Sequence, residues 1–348
     1  MTTTFEPVGI VEGFYGRAWS WQQRRDYAQF LSSAGLNTYL YAPKSDAFLR
    51  KAWHQDWPKT ESVALESVAR DYTDRGLCWG MGLSPYRLYE AYGATERRAL
   101  KNKVHRLDAL GTGLLAILFD DMPGSIDDLA ERQAEIIADV ESWSAAQRIL
   151  VCPTYYSLDP VLQEHFGSMP EGYWNALGCQ LPASVGVFWT GENVCSKTVT
   201  SRHMVQVADM LGRKPVLWDN YPVNDGAAMV DYLHLAPLSG RDSAMTQHTS
   251  GHLCNPMNQA CLSRYPLGGL AALYGGATAT LEELYGAELA TLLRRDSERF
   301  QYQGRASFSD IERQALMEEY VRCDNPAARE VVDWLHGDYA FDPDCLTG

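Results

Sequence analysis

The sequence predicts an α/β protein: a (β/α)8 TIM barrel with a short C-terminal helical extension. Three observations carry this expectation. Short runs rich in β-branched and aromatic residues recur eight times before about residue 260. Longer segments with helical start and stop signals separate them. Polar and charged residues gather at the C-terminal end of each run, the face on which a barrel builds its site. A doubly wound open sheet is the alternative for so regular an alternation.

The expected strands are Val8–Tyr15, Thr38–Pro43, Cys78–Ser84, Leu114–Asp121, Ile149–Tyr156, Val185–Gly191 and Pro215–Tyr221, with an eighth in Gly251–Pro256. They are short and apolar on both faces, as parallel strands covered by helices must be. Between them, Ser20 with Gln23 forms a capping box, and Tyr27, Phe30, Leu31 and Ala34 share one helical face before Gly35 ends it. Thr95 opens a helix striped by Leu100, Val104 and Leu107 that stops at Gly111. Ser125 and Asp128 are expected to cap a third, continuing through Ile136, Ile137 and Val140, and Thr200 begins a fourth that ends at Gly212. The barrel is expected over residues 1–265, with 266–348 as its remainder and a helical cap. Within that cap, Asp310–Trp334 predicts one or two amphipathic helices burying Ile311, Leu316, Tyr320 and Val321.

Charge narrows the function. Thirty basic against 44 acidic residues give a net charge of −14 over 348 residues. Binding to a duplex needs a basic stripe that neutralises phosphates, so nucleic acid is not an expected partner. The same charge disfavours anionic membrane surfaces. Residues 1–7 lack the basic and apolar regions of a secretory leader, and no apolar run reaches eighteen residues. The eight cysteines (Cys78, Cys152, Cys179, Cys195, Cys254, Cys261, Cys323 and Cys345) show no CxxC spacing, which reads as reduced thiols in a cytoplasmic protein.

The strand ends carry the chemistry. Asp120-Asp121 closes the apolar run from Leu114 to Phe119. Like charges at close range raise the pKa of one partner, and one neutral beside one charged carboxyl is what acid–base cleavage of a glycosidic bond requires. An Asp at such a junction can instead cap the following helix, but Ser125 is already placed for that. Tyr15, Tyr156, Trp189, Trp218 and Tyr221 recur at strand ends, where flat rings either stack on a pyranose or simply pack the core. His248 and His252 have helical spacing, but Gly251 argues against a helix there and no third ligand is evident, so no metal is expected. Gly111-Thr112-Gly113 follows a helix and precedes a strand, the reverse of a dinucleotide fingerprint, and is a turn. No cofactor is expected.

In order along the chain, Val11-Glu12-Gly13-Phe14-Tyr15-Gly16-Arg17, Asn37 to Lys44, Phe119-Asp120-Asp121, Cys152-Pro153-Thr154 with Tyr156, Trp189-Thr190-Gly191, Trp218-Asp219-Asn220 with Asn224-Asp225, and Asn255-Pro256 stand at these ends. The set resembles the catalytic domain of glycoside hydrolase family 84 over about residues 8–260. That resemblance implies an exo-acting retaining β-N-acetylglucosaminidase of the O-GlcNAcase type, in which the substrate's own 2-acetamido oxygen is the nucleophile and an oxazoline the intermediate. It implies Asp120 as acceptor of the acetamido N–H and Asp121 as general acid and then base. It further implies that Tyr156 and Asn220 hold the acetamido group, Trp218 walls the acetyl methyl, Gly13 and Lys44 contact hydroxyls, and Asp225 with Asn255 bind the far hydroxyls. The partners implied are N-acetylglucosamine-containing glycosides or glycoproteins. The same mechanism on another 2-acetamido sugar or a glycosaminoglycan fragment, or a non-catalytic sugar-binding barrel, are the alternatives. Three departures stand out: Ser45-Asp46 where the family commonly has two acidic residues, Tyr155 where it often has one, and the tight Met122-Pro123-Gly124 after Asp121.

Overall fold

The computed structural model describes residues 5–339; the first four residues of the leader reading, and Cys345, lie outside the described residues. Eight parallel strands close into a barrel in sequence order. They are β1 (Val8–Glu12), β2 (Thr38–Tyr41), β3 (Cys78–Leu83), β4 (Leu114–Leu118), β5 (Arg148–Cys152), β6 (Gly186–Trp189), β7 (Val216–Asp219) and β8 (His252–Cys254). Closure is made where Val8 pairs His252 and Ile10 pairs Cys254. All eight expected strands are present, each shorter than its apolar run because the last residues leave the ladder to form the mouth. β4 shows why the runs lack alternation: all five residues are fully buried, between the barrel interior and the helix layer.

Local chemistry fixes the first helix, Trp21–Ala34. Ser20 accepts the Gln23 N–H, Gln23 returns the bond, and Gly35 closes the end at φ 74°. Thr200 caps Ser201–Leu211 through the His203 N–H, and Gly212 ends it at φ 65°. The helix expected from Thr95 starts one residue earlier, at Ala94, where Glu96 accepts the Gly93 N–H at 3.2 Å. The expectation for Ser125 fails. That helix runs Leu129–Trp143 with Asp128 before it and no side-chain cap, and Ser125 stands in the loop ahead of it, packed close against Gly167.

The C-terminal helices build a second apolar cluster over the loops that follow β7 and β8, with Leu233, Met257, Phe300, Tyr320 and Trp334 among its members. Asp310–Tyr320 and Pro326–His336 are two helices. Tyr320 is buried as expected, but Ile311 and Val321 are 84% and 66% exposed. For Val321 the reason is the break between the helices. Val321 ends the first, and the second, started by Asn325 and Pro326, turns Ala327, Val331, Trp334 and Leu335 inward instead. Among the described residues, no helix is long and apolar enough to cross a membrane.

Candidate active site

The strand ends converge on a cavity of about 180 Å³ lined by Gly13, Lys44, Asp120, Asp121, Tyr156, Trp218, Asn220, Asp225 and Asn255, together with Tyr15, Cys152, Thr190, Val194, Cys195 and Val223. It is smaller than the roughly 300–1,000 Å³ clefts that hold drug-sized ligands. A roomier cleft of about 490 Å³ lies among the C-terminal helices, lined by Leu262, Tyr265, Leu281 and Leu293 among others. It has no acid pair and stands away from the strand ends, so the chemistry belongs to the smaller cavity.

The nine residues that the family resemblance implies for the site all line this cavity, and the backbone explains the acid pair. Phe119 still donates to Cys152 O in the ladder, at 2.8 Å. Asp121 then turns to φ 58°, a left-handed conformation that Asp tolerates better than most side chains. The turn swings both carboxylates to one side. Neither caps a helix: Asp120 Oδ2 binds Lys44 Nζ, and Asp121 Oδ2 binds the Tyr15 hydroxyl and lies 3.2 Å from Lys44 Nζ. Asp120 Oδ1 is buried and unpartnered.

The electrostatics differ from the like-charge picture. Lys44 sits between the two carboxylates. Burial opposes its charge, but Asp120 and then Asp121 outweigh burial and hold the ammonium above its ordinary range. Burial likewise opposes the Asp121 carboxylate, yet Lys44, the Tyr15 hydroxyl and Arg50 together hold its pKa below the usual value. The pair is therefore organised by a shared cation, not by mutual repulsion. Asp225 behaves oppositely: burial pushes its carboxyl up to about 6, against the hydrogen bond it receives from Tyr15 N at 2.7 Å.

The far wall is a closed amide network. Asn220 Oδ1 accepts from Trp218 Nε1 and from Asn255 Nδ2, both at 3.0 Å, while Asn220 Nδ2 donates to Val194 O at 2.8 Å. Asn255 Oδ1 accepts the Gly13 N–H at 3.2 Å. Gly13 must lack a side chain, since a Cβ there would fall 2.4 Å from the Trp218 ring.

Of the five strand-end aromatics, Tyr15, Tyr156 and Trp218 line the cavity. Trp189 is fully buried and bonded to His203 in the helix layer, and Tyr221 stacks on His234 with its hydroxyl on Ala236 O. Glu12, although in the first motif, faces the helices and pairs with Arg24. Asp219 is also turned away, clamped by Arg241 and by His252 at 3.0 Å. With Cys254 this makes three buried donors within 4.8 Å of one another, of which Asp219 already has Arg241 as its counter-charge. His248 follows a short 3-10 turn and His252 opens β8, so the two do not share a helix.

Sequence reasoning missed Arg50. It stands nine residues beyond the end of its strand, on no periodic face, and its partners become visible only in three dimensions. Two of the departures prove to be one adaptation: the Tyr155 hydroxyl, bonded to Gly167 O at 2.6 Å, lies where a Cβ on Gly124 would be.

A closed parallel barrel with a carboxylate pair at its C-terminal mouth is the architecture of a barrel glycoside hydrolase. The chain belongs to the family described as beta-N-acetylglucosaminidase, whose sequence model matches residues 8–290. It is 30% identical over 260 residues to the Protein O-GlcNAcase of Mus musculus and, equally, to that of Rattus norvegicus, covering 71% of this chain. The chain spans 28% of the length of those two relatives. Among solved structures, an O-GlcNAc hydrolase variant from Thermobaculum terrenum superposes with a TM-score of 0.77 at 28% identity, over 97% of this chain and 82% of that one.

Proposed function

We propose that the protein is an exo-acting retaining β-N-acetylglucosaminidase that uses the substrate's 2-acetamido group as nucleophile. The observation that carries this reading is Asp120 Oδ1, a buried acceptor without a partner in a cavity with room for little more than one sugar ring. A buried carboxylate oxygen left unsatisfied is costly, and an acetamido N–H is the donor that completes it. The relatives named O-GlcNAcase support the sugar.

In the first step the acetamido oxygen attacks the anomeric carbon while the acetamido nitrogen passes its proton to Asp120 Oδ1, giving the oxazoline. The glycosidic C–O bond breaks, its electron pair stays on the leaving oxygen, and Asp121 supplies that oxygen's proton. In the second step water adds to the anomeric carbon and gives a proton to Asp121, the bond from that carbon to the oxazoline oxygen breaks, and Asp120 returns the proton to the nitrogen, restoring the acetamido group. Asp121 thus alternates between acid and base. Tyr156, Trp218 and Asn220 enclose the acetamido end, while Gly13, Lys44, Asp225 and Asn255 meet the ring hydroxyls. Closure of the cavity around one terminal ring gives exo-action. No cofactor enters. A cytoplasmic setting is supported by the seven described cysteines, all free thiols.

The test is turnover of para-nitrophenyl glycosides of N-acetylglucosamine, its galacto epimer and their 2-deoxy analogues. Selective cleavage of the N-acetylglucosaminide is expected. Preference for the epimer would reassign the sugar, and binding without turnover would make the barrel a lectin.

A further inference from the structure

Asp121 has to give up a proton and then take one back, and the structure surrounds it with more than its catalytic neighbours. Its Oδ2 accepts the Tyr15 hydroxyl, and the same phenol oxygen accepts from Arg50 Nη1 at 3.3 Å. The Arg50 guanidinium also lies 5.5 Å from the centre of the Tyr15 ring, and Lys44 Nζ lies 5.7 Å from it. Arg50 is buried, so its charge is poorly screened. A hydrogen-bonded chain of this kind polarises along its length and strengthens the terminal bond.

Tyr15 cannot drift from this position. Its N–H is held by Asp225 Oδ2 at 2.7 Å and its carbonyl by Asn258 Nδ2 at 2.8 Å, and Gly16 turns the chain immediately afterwards at φ 89°. The motif at the end of β1 is thus clamped on both sides, and the phenol is the part of it aimed at the acid pair.

We propose that Tyr15, held by Arg50, is a positioning residue for Asp121: its hydroxyl fixes Oδ2 and favours the carboxylate that must re-form for the second step, an inference that rests on the glycosidase reading above. The other groups facing Asp121 are Lys44, Asp120, Tyr156 and Asp225. Lys44 and Arg50 act in the same direction as the phenol, while Asp120 opposes it.

The experiment compares wild type, Tyr15→Phe and Arg50→Gln. The readouts are the pH profile of kcat/KM on the para-nitrophenyl N-acetylglucosaminide and an NMR titration of the Asp121 carboxyl carbon, assigned by its loss in Asp121→Asn. Tyr15→Phe keeps the ring and removes one hydrogen bond to a carboxylate, so both the basic limb and the titration should move up by about one pH unit. Arg50→Gln should move both the same way by less. If Tyr15→Phe does not fold, the Arg50→Gln shift carries the test alone. Unmoved or lowered values in a folded variant overturn the proposal. A wild type that does not turn over, with the NMR shift present, keeps the positioning role and removes the glycosidase reading.

Discussion

Consecutive residues of an extended strand point to opposite sides of the sheet, so Asp120 and Asp121 share a cavity only because the backbone turns left-handed at Asp121. Lys44 then ties both carboxylates down from β2. The division of labour proposed for them can be separated kinetically. Asp121→Asn should lose about 10²–10⁴-fold on glycosides with poor leaving groups and much less on those that need little protonation. Asp120→Asn should lose activity whatever the leaving group. A leaving-group series in which the two variants fall in parallel would contradict the assignment. Asp225 gives a second prediction at this scale. Because burial raises its carboxyl to about 6, the charged form proposed to accept ring hydroxyls is present above that pH and lost below it. KM should therefore rise as pH falls through about 6, and Asp225→Asn should show a high KM without that dependence.

Among the elements, β1 does two jobs with adjacent residues. Gly13 turns to the cavity and makes room for Trp218, whereas Glu12 turns to the helix layer and receives Arg24 Nε at 2.9 Å and Nη2 at 2.7 Å. Both partners of that ion pair are almost wholly buried. Removing one would leave the other charge buried and uncompensated, so Glu12→Ala should cost about 3–5 kcal/mol in denaturant unfolding. A loss under 1 kcal/mol would show that Arg24 finds another partner. The acid pair was legible in the sequence because two carboxyl residues close an apolar run, whereas Gly13 was named only through the family resemblance. The direction of Glu12 and Asp219 was not legible: each stands beside a site residue, and only the partner guanidinium, Arg24 or Arg241, decides which way it faces. Ser125 misled for a related reason, since a cap is defined by where the helix starts and the loop before Leu129 takes up three more residues.

At the scale of the molecule, the barrel order was readable because each strand lies in a short, mostly apolar run and helices such as Trp21–Ala34 and Ser201–Leu211 carry clear caps at both ends. The C-terminal layer was less so. Its helices pack on loops from β7 and β8 as well as on one another, so the apolar faces follow tertiary contacts that one helix's periodicity does not reveal; the exposed Ile311 is the plainest case. In the one cluster of metal-type donors found among the described residues, Asp219 is already paired with Arg241, so activity should survive exhaustive chelation; loss restored by added zinc or magnesium would contradict that. The central claim is that the substrate's acetamido oxygen, oriented by Asp120, attacks the anomeric carbon. The most direct test is kcat/KM across para-nitrophenyl glucosaminides bearing acetyl, monofluoroacetyl, difluoroacetyl and trifluoroacetyl groups. Fluorine withdraws electrons from that oxygen, so the rate should fall progressively along the series. A rate indifferent to fluorine would mean the nucleophile belongs to the protein.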